Sequence, residues 1–456
     1  MHFSKTFAQL LRDLPPELSE NAIEYRRLKK LLNQVTRELA ALGLSPTVLH
    51  DLLQSNAEPS GKEKEKGRDS ETGARLLYEF NDDVGHIEPR LRLWVDSTDP
   101  PDDVEGKPQV ALVAWALQRH AEAQNAVLNS NKVELVIPLV SDSAFFQLLA
   151  ATLQALADHL IATHAQFVET LKDLTKVVSD SARPVSSTST SFKPLSALRS
   201  DAGGARVSAS SRKSDLYSWR EIFQLYVETE IFESVNERDR GSRTIEDAET
   251  RLTQFAERVK TRGLDRELKL QQSHKALDSF LELNSFILNV KKFELANAEA
   301  MRKILKKHTK RTALPAPDSS NTAPLALLPA TNTLLPRTLV QELGTTLLPV
   351  IPSLDDYACL ICLSIAFKPI RLACGHLFCV RCLVKMQKRG SDDCPMCRAP
   401  CVLIADRSNV DWALLNFMRD WFPEEASIKL RQNEREAADE QMAELGMDPN
   451  QRCRVM

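Results

Sequence analysis

The residue types with the clearest chemistry lie in one short stretch. The 456-residue chain has nine cysteines, and none precedes Cys359. Eight zinc-type donors then follow in order: Cys359-x-x-Cys362, eleven residues, Cys374-x-His376-x-x-Cys379-x-x-Cys382, eleven residues, Cys394-x-x-Cys397. Thiolate and imidazole are soft and borderline ligands that suit zinc, and eight of them fill two tetrahedral sites of four. Sites closed by four protein ligands leave no position for substrate, so their role is structural. A segment of about 40 residues buries too little apolar surface to fold unaided. Zinc bound to such sites supplies on the order of 10–16 kcal/mol, enough to decide between folded and unfolded. Two cysteines are left over. Cys401 is read as a spare thiol or a rival ligand, with the Cys394-Pro-Met-Cys397 spacing favouring Cys397, and Cys453 is assigned nothing.

The bulk composition sets the surroundings of this cluster. A net charge of −3 argues against whole-chain binding to nucleic acid, so any anion site is a local patch. The start, MHFSKTFAQLLRDLPPELSE, has no apolar stretch of signal length. The expectation is no transmembrane segment and a cytoplasmic and/or nuclear location. There, cysteines stay reduced and serve metals more often than disulfides.

The elements around the cluster read as mainly α. Apolar residues recur at helical spacing over 1–53 (Phe3, Phe7, Leu10 and Leu11, then Ile23, Leu28, Leu31, Leu32 and Val35), with Pro15 and Pro16 between two helices. Residues 55–75 are polar and aperiodic and read as a disordered insert. Long helical patterns are expected over 109–178, followed by a Ser-rich disordered insert over 179–214. Phosphorylation of that insert is an alternative to a plain flexible segment. Helical pattern resumes from 215 to 312. The Pro- and Leu-rich stretch from 313, with a short helix to 353, reads as the linker. The cysteine domain spans 354–402. A helical tail spans 408–445, with Val410, Leu414, Phe417, Met418 and Trp421 on one side.

The order of three cysteines, one histidine and four cysteines, with Cys374-Gly-His-x-x-Cys379 in the middle and Cys394-Pro-x-Cys-Arg398 at the end, resembles the RING finger. A PHD finger places its histidine fifth among the ligands, whereas here it is fourth. The resemblance implies a cross-brace: Cys359, Cys362, Cys379 and Cys382 on one zinc, and Cys374, His376, Cys394 and Cys397 on the other. It also implies ubiquitin-protein ligase activity without a covalent intermediate on this chain. The RING docks a ubiquitin-charged conjugating enzyme and holds its thioester in a reactive pose. The matching docking positions are Ile361, Met386, Pro395 and Met396. Met386 departs from the tryptophan of many members. Arg398, directly after the last ligand, matches the family's linchpin arginine, whose forked donors bridge carbonyls on enzyme and ubiquitin.

A second pattern lies at the other end of the chain. On MRKILKKHTK (301–310), Lys303, Lys306, Lys307 and Lys310 stand at i, i+3, i+4 and i+7, on one face of a helix. Taken alone, such a face is most simply a solvated surface. Together with MHFSKTF at the start, YRRLKKL (25–31) and WREIFQLYVETEIF (219–232), it resembles the SPX domain over roughly residues 1–312, interrupted by the inserts. That family binds inositol pyrophosphates and related polyphosphates and so reads phosphate status. Carried over by position, the resemblance implies ligand contacts from Lys5, Tyr25, Lys29, Lys306, Lys307 and Lys310. His2 stands where lysine is common. Arg26 and Lys30 face elsewhere unless the helix phase is off by one residue. The expected partners are a conjugating enzyme, ubiquitin and a protein substrate, with a phosphate transporter or phosphate-pathway protein as the architecture's implication and a homodimer as an option for the tail helix. Two other classes stay open: a non-enzymatic phosphate-sensing scaffold with a structural RING, and a peripheral protein whose lysine face meets phosphoinositide headgroups.

Overall fold

The computed structural model describes residues 3–54, 75–83, 86–96, 132–182, 198–201, 204–207, 214–234, 241–315 and 334–445. The linker expected from 313 is described up to 315 and from 334 onward, while residues 55–74 of the first insert, 109–131 of the expected helical stretch and Cys453 lie outside the described residues, and residue 75 opens the first strand. The order is α1 (Phe3–Arg12), α2 (Pro16–Ser19), α3 (Tyr25–Ala41), α4 (Pro46–Gln54), β1 (Arg75–Asp83), β2 (His86–Asp96), β3 (Lys132–Pro138) and α5 (Val140–Ser181). Then come β4 (Leu198–Asp201), β5 (Gly204–Val207), α6 (Leu216–Thr229), β6 (Glu233–Ser234), β7 (Gly241–Ser242), α7 (Ile245–Thr261), α8 (Leu264–Glu267) and α9 (Gln271–Thr312). The last part holds α10 (Leu334–Thr346), β8 (Pro369–Arg371), β9 (Leu377–Cys379), α11 (Val380–Lys388), α12 (Trp412–Trp421) and α13 (Pro423–Glu444).

The long helices follow the expected 3.6-residue period, but two parts of the sequence reading need correction. Lys132–Pro138 is a strand within the stretch expected to be helical. β1, β2 and β3 form an antiparallel sheet in that order, with Tyr78 opposite Leu91 and Leu91 opposite Ile137. In the Ser-rich insert, β4 and β5 pair as a short antiparallel hairpin.

The chain separates into two compact units, residues 1–167 with 286–339 and residues 168–285 with 340–456. The core of the first draws Phe7 from α1, Leu28, Leu32 and Val35 from α3, Leu76, Tyr78 and Leu91 from the sheet, Phe145, Phe146 and Leu149 from α5, and Ile304 from α9. Glu38 of α3 accepts the N–H groups of Val140 (2.9 Å) and Ser141 (2.8 Å), so a carboxylate caps the positive end of α5. Within the buried core, Asp142 accepts from the Tyr78 hydroxyl at 2.6 Å and pairs with His308 Nε2 at 2.7 Å. Among the described residues one helix, α5, is long and apolar enough to cross a membrane by length and composition; its Phe145, Phe146 and Leu149 are buried in this core.

In the second unit, Asp215 before α6 accepts from Lys269 N (2.8 Å), Leu270 N (3.1 Å) and Ser273 Oγ (2.5 Å), tying α6 to the start of α9. Ile365, Phe367, Ile370, Phe378, Leu383 and Val402 of the cysteine block pack with Leu415, Met418, Phe422 and Ala426. The tail therefore completes the small core that the cysteine block lacks by itself. Phe422 and Pro423 divide the tail into α12 and α13.

Candidate metal centres and basic cluster

The eight donors gather into two sets, Cys359, Cys362, Cys379 and Cys382, and Cys374, His376, Cys394 and Cys397, with ligand atoms in each set within 4.8 Å of one another. β8 and β9 turn through Cys374 and Gly375, whose φ of 86° requires the freedom of glycine. This hairpin delivers His376 to the second set and Cys379 to the first. Cys379 also sits at the N-cap of α11, where its sulfur accepts from Cys382 N–H at 3.5 Å.

The two CxxC turns are built alike. Leu363 N–H donates to Cys359 O and Arg398 N–H to Cys394 O, both at 2.8 Å. Cys359 N–H donates to Ser364 O (2.8 Å) and Cys394 N–H to Ala399 O (2.9 Å). Leu363 (φ 55°) and Arg398 (φ 59°) occupy equivalent left-handed positions. For a non-glycine residue this conformation costs on the order of 1–2 kcal/mol, sustained by the closed turn.

The electrostatics of the donors calls for a cation. The Cys359 thiol is held down to about 4 by the hydrogen bond with Cys379 and by backbone N–H donors, while the same contact and burial drive Cys379 well up. Burial raises Cys382 to about 12. Without a dication, four thiols this close must share protons. With one, all become thiolates. In the second set, Cys374 is lowered to about 6 by N–H of His376 and by its ring, 3.4 Å away. The donor sets fit two structural zinc ions. Cys401 lies outside both sets, buried, 3.5 Å from the Cys374 sulfur.

Around the CxxC turns the surface is apolar. Leu360, Ile361 and Met396 are exposed, and Leu363 is 81% exposed. Pro395 and Arg398 are exposed, and Met386, on α11, is partly buried against the local core. Leu363 was not singled out in the sequence, although its place directly after a ligand is the signal that would have found it.

In the first unit, α3 and α9 bring part of the predicted basic set together. Lys307 Nζ donates to Tyr25 Oη at 2.6 Å and lies 5.1 Å from the ring centroid. Arg311 donates to Asn33 Oδ1 at 2.6 Å. Lys29, one turn beyond Tyr25, lies along α3 between these two anchor points, and Lys306 and Lys310 are exposed. Lys303 stands over the Phe3 ring (3.9 Å) and pairs with Glu299. Lys5 is exposed on α1, two residues from Phe3 and Phe7 and hence on the other side of that helix. Arg26 and Lys30 line a crevice of about 470 Å³ with Phe7, Leu11 and Tyr25 itself.

A cross-braced pair of four-ligand sites on a short β-hairpin and helix defines a RING-type zinc module, here within a largely helical protein. The chain belongs to the SPX-domain family: the SPX domain model matches residues 1–320, and the C3HC4 RING-finger model matches 359–397. A Schizosaccharomyces pombe uncharacterized RING finger protein is 30% identical over 95% of this chain and 96% of its own. The Candida albicans transcriptional regulator of yeast form adherence 3 is 27% identical over the full length of both. The mouse E3 ubiquitin-protein ligase RNF135 is 46% identical over 57 residues, 11% of this chain and 14% of its own. No solved structure matches the chain.

Proposed function

We propose that this protein is a RING-type ubiquitin-protein ligase whose SPX domain senses inositol pyrophosphates. The observation that carries the ligase reading is the pair of matched CxxC turns, which present exposed Ile361, Leu363, Pro395 and Met396 beside Arg398. A rigid apolar surface with an adjacent guanidinium suits a conjugating enzyme and its ubiquitin thioester. The likeness of the RING to named ubiquitin ligases supports the same reading. Ile361, Leu363, Met386, Pro395 and Met396 dock the enzyme. Arg398 bridges enzyme and ubiquitin. Catalysis is positional, because the clustered thiols are committed to metal. The assay is auto-ubiquitination with purified components: Ile361→Ala and Arg398→Ala each abolish transfer while retaining two zincs, and full activity in both overturns the reading.

The anion reading rests on Tyr25, Lys29, Lys306, Lys307 and Lys310, with Lys5 as an outer contact. Charge-assisted hydrogen bonds from several ammonium groups favour a ligand with many phosphates, and its affinity falls as salt rises. Calorimetry with an inositol pyrophosphate should register a loss of at least tenfold in Lys306→Ala/Lys310→Ala; equal affinity removes the site. The location we propose is cytoplasmic and/or nuclear, and the substrate class is a phosphate transporter or another phosphate-pathway protein.

A further inference from the structure

Helix α13 touches three separate things. Its first turn meets α6. Tyr217 Oη donates to Glu425 at 2.9 Å and accepts Glu424 N–H at 3.1 Å. Arg220 pairs with Glu425 (3.3 Å), donates to Trp421 O (2.6 Å) and stacks its guanidinium over Phe422 (4.4 Å) and Tyr217 (4.9 Å). This arginine side chain is only 13% exposed, so the joint is built rather than incidental.

One turn on, Lys429 is 5% exposed, and Ala426 and Leu430 of the same helix pack in the hydrophobic core that also takes in Cys359 and Cys362, the two ends of the CxxC turn that carries Ile361. Farther on, Glu436, Glu440 and Glu444 form an acidic stripe at i, i+4, i+8. It matches a basic stripe on α11. Lys385 pairs with Glu436 at 2.6 Å, Lys388 with Glu444 at 2.8 Å, and Arg381 with Glu440. The same α11 carries Met386, about 130° around the helix from that stripe. Single exposed pairs of this kind contribute little, but Arg381 is 11% exposed and the contacts form a network.

We propose that α13 is a coupling rod. Anchored on α6 through Arg220 and Tyr217, it fixes the two parts of the conjugating-enzyme surface, the Ile361 turn and the Met386 helix, relative to each other. Residues Arg220, Glu436 and Glu440 are positioning residues, since they act on the docking surface through α11 and the first CxxC turn. This inference rests on the ligase reading for its activity readout and stands apart from it in its exchange readout.

The test uses the full chain. In Arg220→Ala, hydrogen exchange of the 380–388 amides accelerates at least fivefold, and KM for the ubiquitin-charged conjugating enzyme rises three- to tenfold, with kcat within twofold and two zincs retained. Glu436→Lys/Glu440→Lys produces the same pattern, and adding Arg381→Glu/Lys385→Glu recovers most of the lost protection. Should Arg220→Ala lose zinc, Tyr217→Phe is read on the same amides with an expected twofold change. Unchanged exchange and KM in these variants overturn the rod, even where Ile361→Ala abolishes transfer and the ligase reading stands. Unaltered transfer in both Ile361→Ala and Arg398→Ala sinks the ligase reading, and the amide protection then judges the rod alone.

Discussion

The two ends of this protein are folded by different forces. In the first unit, α1, α3, α5, α9 and a three-stranded sheet bury a continuous set of large side chains, with Leu28, Val35, Phe145 and Ile304 fully enclosed. In the RING, a few aliphatic and aromatic residues share a core with six of the eight donor side chains and borrow Leu415, Met418 and Phe422 from the tail. A core assembled from area is graded: each side chain contributes a part. A core assembled around ions is close to all-or-none, because one missing ligand opens a site. The contrast teaches that ligand chemistry and packing can be perturbed separately in one chain.

The largest test of that contrast is metal removal. A strong chelator should unfold residues 355–422 while leaving the first unit folded, seen as loss of amide protection confined to the RING and tail. On the order of 10 kcal/mol rides on the metal, and retained protection there breaks the comparison. Next is Asp142→Ala, which strips Tyr78 and His308 of their buried acceptor. The first unit should lose about 3–5 kcal/mol in denaturant unfolding, with zinc content unchanged; a loss under 1 kcal/mol means the buried network is not holding that core.

A smaller effect sharpens the RING side. Leu363→Gly relieves a left-handed leucine and raises RING stability by about 1 kcal/mol. It also removes an exposed apolar side chain, so conjugating-enzyme affinity falls. Stability and affinity moving in the same direction would contradict that division. The smallest effect is on the first unit. Burial lifts Glu294 to about 7, against a lowering N–H from Leu335, and one of its carboxylate oxygens lacks a hydrogen-bond partner. A carboxyl raised in the fold favours the native state at low pH. That contribution is complete below about 4.5 and is lost as pH rises through 7. Glu294→Gln should therefore be more stable than the parent at pH 8 by about 1 kcal/mol, with the difference vanishing near pH 4. The partly solvated carboxyl keeps the figure small.

The RING was legible in the sequence because metal chemistry admits few residue types and fixed spacings. The cross-brace followed from family likeness, and the eight donors converge as expected. The long helices were legible through the periodic burial of residues such as Leu28, Leu32 and Val35. The sheet was not, because β3 lies some 35 residues after β2 and its short alternation in KVELVIP drowns between helical patterns. Arg381, Lys385 and Lys388 can be seen as a stripe in the sequence, and so can Glu436, Glu440 and Glu444. That one stripe lies on the other is a tertiary fact. Arg220 carries no local signal at all: its partners at 421–425 lie about 200 residues away.

The Lys307 ammonium is moored to the Tyr25 hydroxyl before any anion arrives. Its stem has surrendered rotational freedom during folding, a loss that for lysine approaches 2 kcal/mol. Lys306 and Lys310 are exposed, so a ligand held by them would have to order their side chains at an entropic cost. On the anion reading proposed above, a polyanion would meet one prepositioned charge, with two N–H bonds still to give, and Lys306 and Lys310 would be ordered only on binding.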